Sequence, residues 1–163
     1  MSGPENKPAH QLTLRSQLPE LALVPPWVDA LARQHAIPEK RCFAIQLCLE
    51  EALSNIIRHG YRSEPDRTLS ITFASSSEAG LSFTIEDCAP PFDPTAPEAM
   101  QEPAAPLSLL DLEPGGNGLP LLRKFSDSLR YERLANGNRL TIRFFAAPPL
   151  DRSDVASRAP TRR

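Results

Sequence analysis

Glu51 and Asn55 stand four residues apart inside a mostly apolar run from Cys42 to Ile57. A carboxylate can take a proton from a water or hydroxyl, and an amide carbonyl can ligate a hard cation. At i and i+4 on a helix the two lie one above the other, within reach of a single ligand or ion. Phe43, Ile45, Leu47, Leu49, Leu53, Ile56 and Ile57 spread around them over much of the circumference, which predicts a helix buried on more than one side. A carboxylate under such cover is expensive to desolvate, so a functional role is the sharper explanation. The plainer ones are a Glu51 paired with Arg58 or Lys40 and an Asn55 that caps a loop.

Two more segments carry candidate chemistry. Glycines dominate Gly115-Gly116-Asn117-Gly118 just before a predicted helix, where backbone amides can approach an oxyanion. The spacing is not that of the common P-loop, and no Gly-Lys-Ser/Thr follows. Asp87 closes a predicted strand and reads either as a site residue or as an ordinary turn residue. His59, next to Gly60, reads locally as a structural histidine, and the stripe Leu119, Leu122 and Phe125 as core.

These residues need elements to position them. Leu12 to Arg15 alternates like a short strand. Apolar positions recur at helical spacing from about Glu20 to Gln34, with Pro25 and Pro26 beginning that helix or in its first turn. Pro38 opens the next helix, which runs to about His59 and stops at Gly60. The period then changes to two: Leu69, Ile71, Phe73 and Leu81, Phe83, Ile85 predict neighbouring antiparallel strands. From Pro90 to Pro114 there are seven prolines in 25 residues, too many for a regular core element. A helix of about ten residues follows the glycines. Two strands, residues 129–134 and 140–145, are then joined by the hairpin signal Asn136-Gly137-Asn138.

Strand, two helices, two strands, loop, helix and two strands predict an α+β two-layer sandwich, its mixed, mainly antiparallel sheet carrying helices on one face. Apolar residues on both sides of the strands suggest a partly apolar second face that a partner subunit would cover. Residues 1–11 and 147–163 read as flexible arms. The 163 residues carry eighteen Lys and Arg against twenty Asp and Glu, which leaves no basic excess for direct nucleic-acid binding. No apolar stretch approaches the ~20 residues of a membrane span, and no signal peptide is evident. Cys42, Cys48 and Cys88 lack metal-ligand spacing and are expected to be small buried hydrophobes of a cytoplasmic chain with reduced thiols.

Glu51-Ala52-Leu53-Ser54-Asn55, the Asp87 region and Gly115-Gly116-Asn117-Gly118-Leu119 together resemble the three nucleotide-binding boxes of the gyrase/chaperone/histidine-kinase/mismatch-repair ATPase superfamily. The stretch from Leu49 to Tyr61, Pro90-Pro91-Phe92-Asp93-Pro94 and the closing Gly137 to Ile142 resemble the anti-sigma-factor serine protein kinases, over residues 12–146 in matching order. The resemblance implies the histidine-kinase-like ATPase fold, with ATP and Mg2+ as cofactors. It makes Asn55 the Mg2+ ligand, Glu51 the general base and Asp87 the acceptor of the adenine amino group. Ala89 and Phe92 would lie beside the base. Gly115, Gly116, Asn117, Gly118 and Leu119 would wrap the phosphates, with residues 95–114 as the lid. Arg58 would meet phosphate or partner, and His59 would orient Asn55.

The implied activity is transfer of the ATP γ-phosphate to a serine of a small anti-sigma antagonist (STAS-like) protein by a homodimer that also binds a sigma factor. Two departures favour the alternative, a non-catalytic partner-switching module. Ala89 stands where the family pattern Asp-x-Gly has glycine, a poor occupant if that position needs positive φ. The lid has no Lys or Arg between Asp93 and Gly118, which leaves phosphate charge to Mg2+, backbone amides or Arg123 and Lys124.

Overall fold

A computed structural model describes residues 10–96 and 118–146. The lid from residue 97, Gly115, Gly116, Asn117, the arm to residue 9 and the tail from 147 lie outside the described residues.

The elements follow the expected order: β1 (Gln11–Arg15), a 3-10 turn (Leu18–Leu23), α1 (Val24–His35), α2 (Glu39–Asn55), β2 (Thr68–Ser76), β3 (Gly80–Asp87), α3 (Gly118–Phe125), β4 (Ser128–Leu134) and β5 (Gly137–Phe144). The prolines set the first helix. Pro25 and Pro26 occupy its opening positions, where a missing N–H costs nothing, and the segment before them tightens into the 3-10 turn. Ala36 in the left-handed region ends α1, and the Ile37 amide donates to the Ala32 carbonyl at 3.0 Å.

The strands form one sheet in the order β1-β2-β3-β5-β4. The sequence left room for a mixed sheet, but every neighbouring pair is antiparallel. The connection through α3 delivers β4 beyond the place that β5 then fills by hairpin return. Register divides the faces cleanly. Leu12, Ile71, Ile85, Leu140 and Tyr131 line up across the inner face, and so do Leu14, Leu69, Asp87, Asn138 and Arg133. Thr13, Ser70, Glu86, Arg139 and Glu132 make the matching outer row, with Thr72, Thr84 and Thr141 beside it. The expected partly apolar outer face is therefore corrected. Of the Phe, Ile and Leu residues in the strands, all but Leu134 share one parity, and Arg139 bridges Glu86 at 2.6 Å on the polar side.

Helix α2 lies between α1 and α3 over the inner face. Ile45, Cys48, Leu49, Ala52 and Leu53 are buried there, against Ile71, Phe83, Ile85 and Ile142. Each such fully buried aliphatic side chain contributes about 1.5–3 kcal/mol. Burial on several sides of α2 thus holds, except that Phe43 is exposed. Cys48 is the fully buried thiol, its pKa pushed up to about 12 by burial first and Glu51 second. Cys42 is half-buried and Cys88 exposed, against expectation. Cys88 follows the last inward residue of β3, so strand alternation turns it outward.

Candidate functional site

Helix α2 carries the two reactive side chains to its C-terminal end. A four-residue step advances a helix about 40° beyond a full turn, and here that offset falls on a boundary. Asn55, with Ala52, Ile56, His59 and Gly60, lines one cavity of about 180 Å3. Glu51 lines an adjoining recess of about 420 Å3 with Gln46, Glu50, Ser54 and Arg58, opposite the Leu18–Pro25 segment. The acid and the amide therefore face two neighbouring recesses instead of the single cavity expected from their spacing.

Beyond Asn55 the helix widens into a π-turn, Ile56–Gly60, and the Tyr61 amide donates to the Ile56 carbonyl at 2.8 Å. Such turns often mark functional sites. This one swings His59 and Gly60 onto the cavity wall. The helical stretch ends at Gly60 as expected, with the left-handed residues following at Arg62 and Ser63, and Gly60 has a second task. A Cβ built on it would lie 3.0 Å from the Ala89 Cβ, so its missing side chain makes room for Ala89.

The opposite wall is the loop leaving β3: Asp87, Ala89, Pro90, Pro91 and Phe92, closed by Leu122, Tyr131 and Asn138. Ala89 is buried and is not among the positive-φ residues, so its methyl needs no left-handed backbone. Phe92 is half exposed at the rim. Asp87 is buried at 8% exposure, and its Oδ1 accepts from the Ala89 amide and from Asn138 Nδ2, both at 2.8 Å. No group among the described residues donates to its Oδ2. Tyr61 braces this strand end: its hydroxyl donates to the Thr68 carbonyl at 2.9 Å and accepts from the Cys88 amide at 2.6 Å.

Asn55, His59, Asp87, Ala89 and Phe92 are thus brought together, while Glu51 on α2 and Arg58 in the π-turn after it line the neighbouring recess. Gly118 and Leu119 form the first turn of α3. Sequence reading missed Asn138, Tyr131 and Tyr61. Asn138 had one available signal: in a sheet of this order it pairs directly with Asp87.

Among the described residues, two buried side-chain polar atoms have no hydrogen-bond partner: Glu51 Oε2 and Asn55 Nδ2. Buried polar atoms are rarely left so, because desolvation goes uncompensated. The Glu51 carboxyl is held above the usual glutamate range, mainly by burial, then by Glu50, against a lowering pull from Arg58. An amide and an acid left open at adjacent recesses fit a cation with phosphate oxygens between them. A half-turn of the Asn55 amide would present its carbonyl to the metal. The 180 Å3 cavity is smaller than the ~300–1,000 Å3 of typical ligand pockets. It suits a planar base whose sugar and phosphates extend outside it.

Comparison with known proteins gives three findings. Residues 14–144 match the family model described as a histidine kinase-like ATPase domain. The chain is similar to the serine/threonine-protein kinase BtrW of Bordetella bronchiseptica, at 33% identity over 122 residues, 75% of this chain and 83% of that protein. Among solved structures, its fold is similar to that of the RsbU and RsbW domains of Rv1364c from Mycobacterium tuberculosis. The TM-score is 0.53 at 13% identity, over 85% of this chain and 33% of the larger one.

Proposed function

The chain belongs to the histidine kinase-like ATPase family, among the anti-sigma-factor kinases, and on that premise we propose that it is an ATP-dependent protein-serine kinase. Its acceptor would be a small anti-sigma antagonist domain, and it would also bind a sigma factor or similar regulator. The observation that supports this reading best is the pair of unpartnered buried atoms, Glu51 Oε2 and Asn55 Nδ2, at the border between two recesses. One recess takes the nucleotide and the other admits the acceptor.

The adenine occupies the cavity of Asn55 and Asp87, its amino group donating to the open Oδ2 of Asp87. Asn55 would hold a Mg2+, which would supply neutralisation of the phosphate charge. The acceptor serine approaches through the recess lined by Glu51. Its hydroxyl oxygen forms a bond to the γ-phosphorus as the bond to the β-γ bridging oxygen breaks, ADP leaves, and the hydroxyl proton passes to Glu51. Burial raises the proton affinity of that carboxylate, which makes it the stronger base. Ala89, with an ordinary backbone conformation and Gly60 giving it space, is compatible with the base cavity.

Two measurements test the proposal: calorimetric titration with ATP and Mg2+, and transfer of labelled γ-phosphate to a purified antagonist domain. The wild type binds and transfers. Asn55→Ala weakens binding in the presence of Mg2+ about tenfold or more, because the metal loses its protein ligand. Absence of binding by the wild type at millimolar ATP would refute nucleotide function. Binding without transfer would refute the kinase reading alone.

A further inference from the structure

Asn138 is 5% exposed and sits at the meeting point of three strands and a loop. Its Nδ2 donates to Asp87 Oδ1 at 2.8 Å, to the Ala89 carbonyl at 3.1 Å and to the Pro90 carbonyl at 3.2 Å. On the other side its Oδ1 accepts from the Tyr131 hydroxyl at 2.6 Å and from Arg133 Nη1 at 3.1 Å. The same Arg133 nitrogen donates to the Ala89 carbonyl at 3.0 Å. From these bonds we infer that Asn138 and Arg133 form a clamp that fixes the Asp87–Pro91 loop and turns Asp87 toward the cavity. Asn138 is thereby a positioning residue for nucleobase selection, an inference that rests on the nucleotide reading above.

The chemistry of the groups sets the orientation. A guanidinium only donates, so the amide oxygen of Asn138 must face Arg133, and the amide nitrogen then faces Asp87 and the loop carbonyls. With Oδ1 of Asp87 engaged by that nitrogen and by the Ala89 amide, Oδ2 is the acceptor left for a ligand. A single carboxylate oxygen in a buried setting accepts an exocyclic amino group and repels a carbonyl oxygen. A 6-aminopurine is therefore favoured over a 6-oxopurine for as long as the carboxylate cannot rotate. The residue next to Asn138 reinforces the arrangement. A Cβ on Gly137 would lie 1.9 Å from the Asp87 carbonyl oxygen, so the two strands meet here more closely than any side chain permits.

The test is calorimetric titration of the full chain with ATP and with GTP, both with Mg2+, for the wild type, Asn138→Ala and Arg133→Met. Arg133 is exposed at the sheet edge, so its variant is the one expected to fold without difficulty. Thermal unfolding confirms that each variant is folded. ATP affinity should fall about tenfold in Asn138→Ala and about threefold in Arg133→Met, as expected for loss of buried hydrogen bonds. GTP affinity should change little, so the ATP-to-GTP preference narrows in both. A general loss of structure would lower both affinities alike and leave the ratio unchanged. Folded variants with the wild-type ratio would overturn the clamp while leaving the nucleotide reading intact. A wild type that binds ATP and GTP equally would also overturn it, and a wild type that binds neither would overturn both.

Discussion

Glu51→Gln separates what this residue does for function from what it costs the fold. Its Oε2 is withdrawn from water without a donor, and burial outweighs Arg58 in holding the carboxyl above the usual range. An unsatisfied buried polar atom costs about 1–3 kcal/mol. Gln leaves the same atom open, but a neutral amide costs less to bury than a carboxylate; Glu51 is only half-buried, so the gain should be about 1 kcal/mol at pH 7. In a chain of this size that raises Tm by about 3–4 °C.

The sign of the pH dependence follows. A carboxyl with a raised native pKa keeps the folded state fully stable below its ordinary value of 4.5, and stability falls as pH rises through the native value. The wild type should show this decline above pH 4.5, and the variant should lack that component. Phosphoryl transfer should meanwhile drop about 10²–10⁴-fold with ATP affinity nearly unchanged, as for loss of a general base. Urea unfolding at pH 4 to 8, beside labelled-phosphate transfer, checks all of this. A variant less stable than the wild type at neutral pH, or one that transfers at the wild-type rate, would refute the reasoning.

Other positions give sharp expectations. Gly137→Ala forces a methyl against the Asp87 carbonyl at 1.9 Å and should destabilise by about 2–3 kcal/mol, the upper range for overpacking, read as a lower urea midpoint. It should also abolish ATP binding in whatever fraction folds, because the Asp87 strand end must move. Tyr61→Phe removes the hydroxyl shared by the Cys88 amide and the Thr68 carbonyl, at about 1–2 kcal/mol by chemical unfolding; a change under 0.5 kcal/mol would show that water replaces it.

The local code carried most of the framework. Alternation of apolar residues located the strands, Pro25 and Pro26 marked the start of α1, and Asn136-Gly137-Asn138 marked the final hairpin. Motif chemistry pointed to Glu51, Asn55 and Asp87 before any coordinates. These are properties of short windows, set by the 3.6 and 2.0 periodicities of side-chain direction. Tertiary structure alone decided three other matters. It put Glu51 and Asn55 on either side of a boundary between recesses, because the Leu18–Pro25 segment walls the one and the loop after β3 walls the other. It gave Gly60 the task of admitting Ala89, since a close approach between residues 29 positions apart has no local signature. It also assembled Asn138, Arg133 and Tyr131 around the loop after Asp87. Hydrogen bonds across some fifty residues of chain depend on strand order and register, and a linear pattern specifies which face a residue takes without specifying which strand lies beside it.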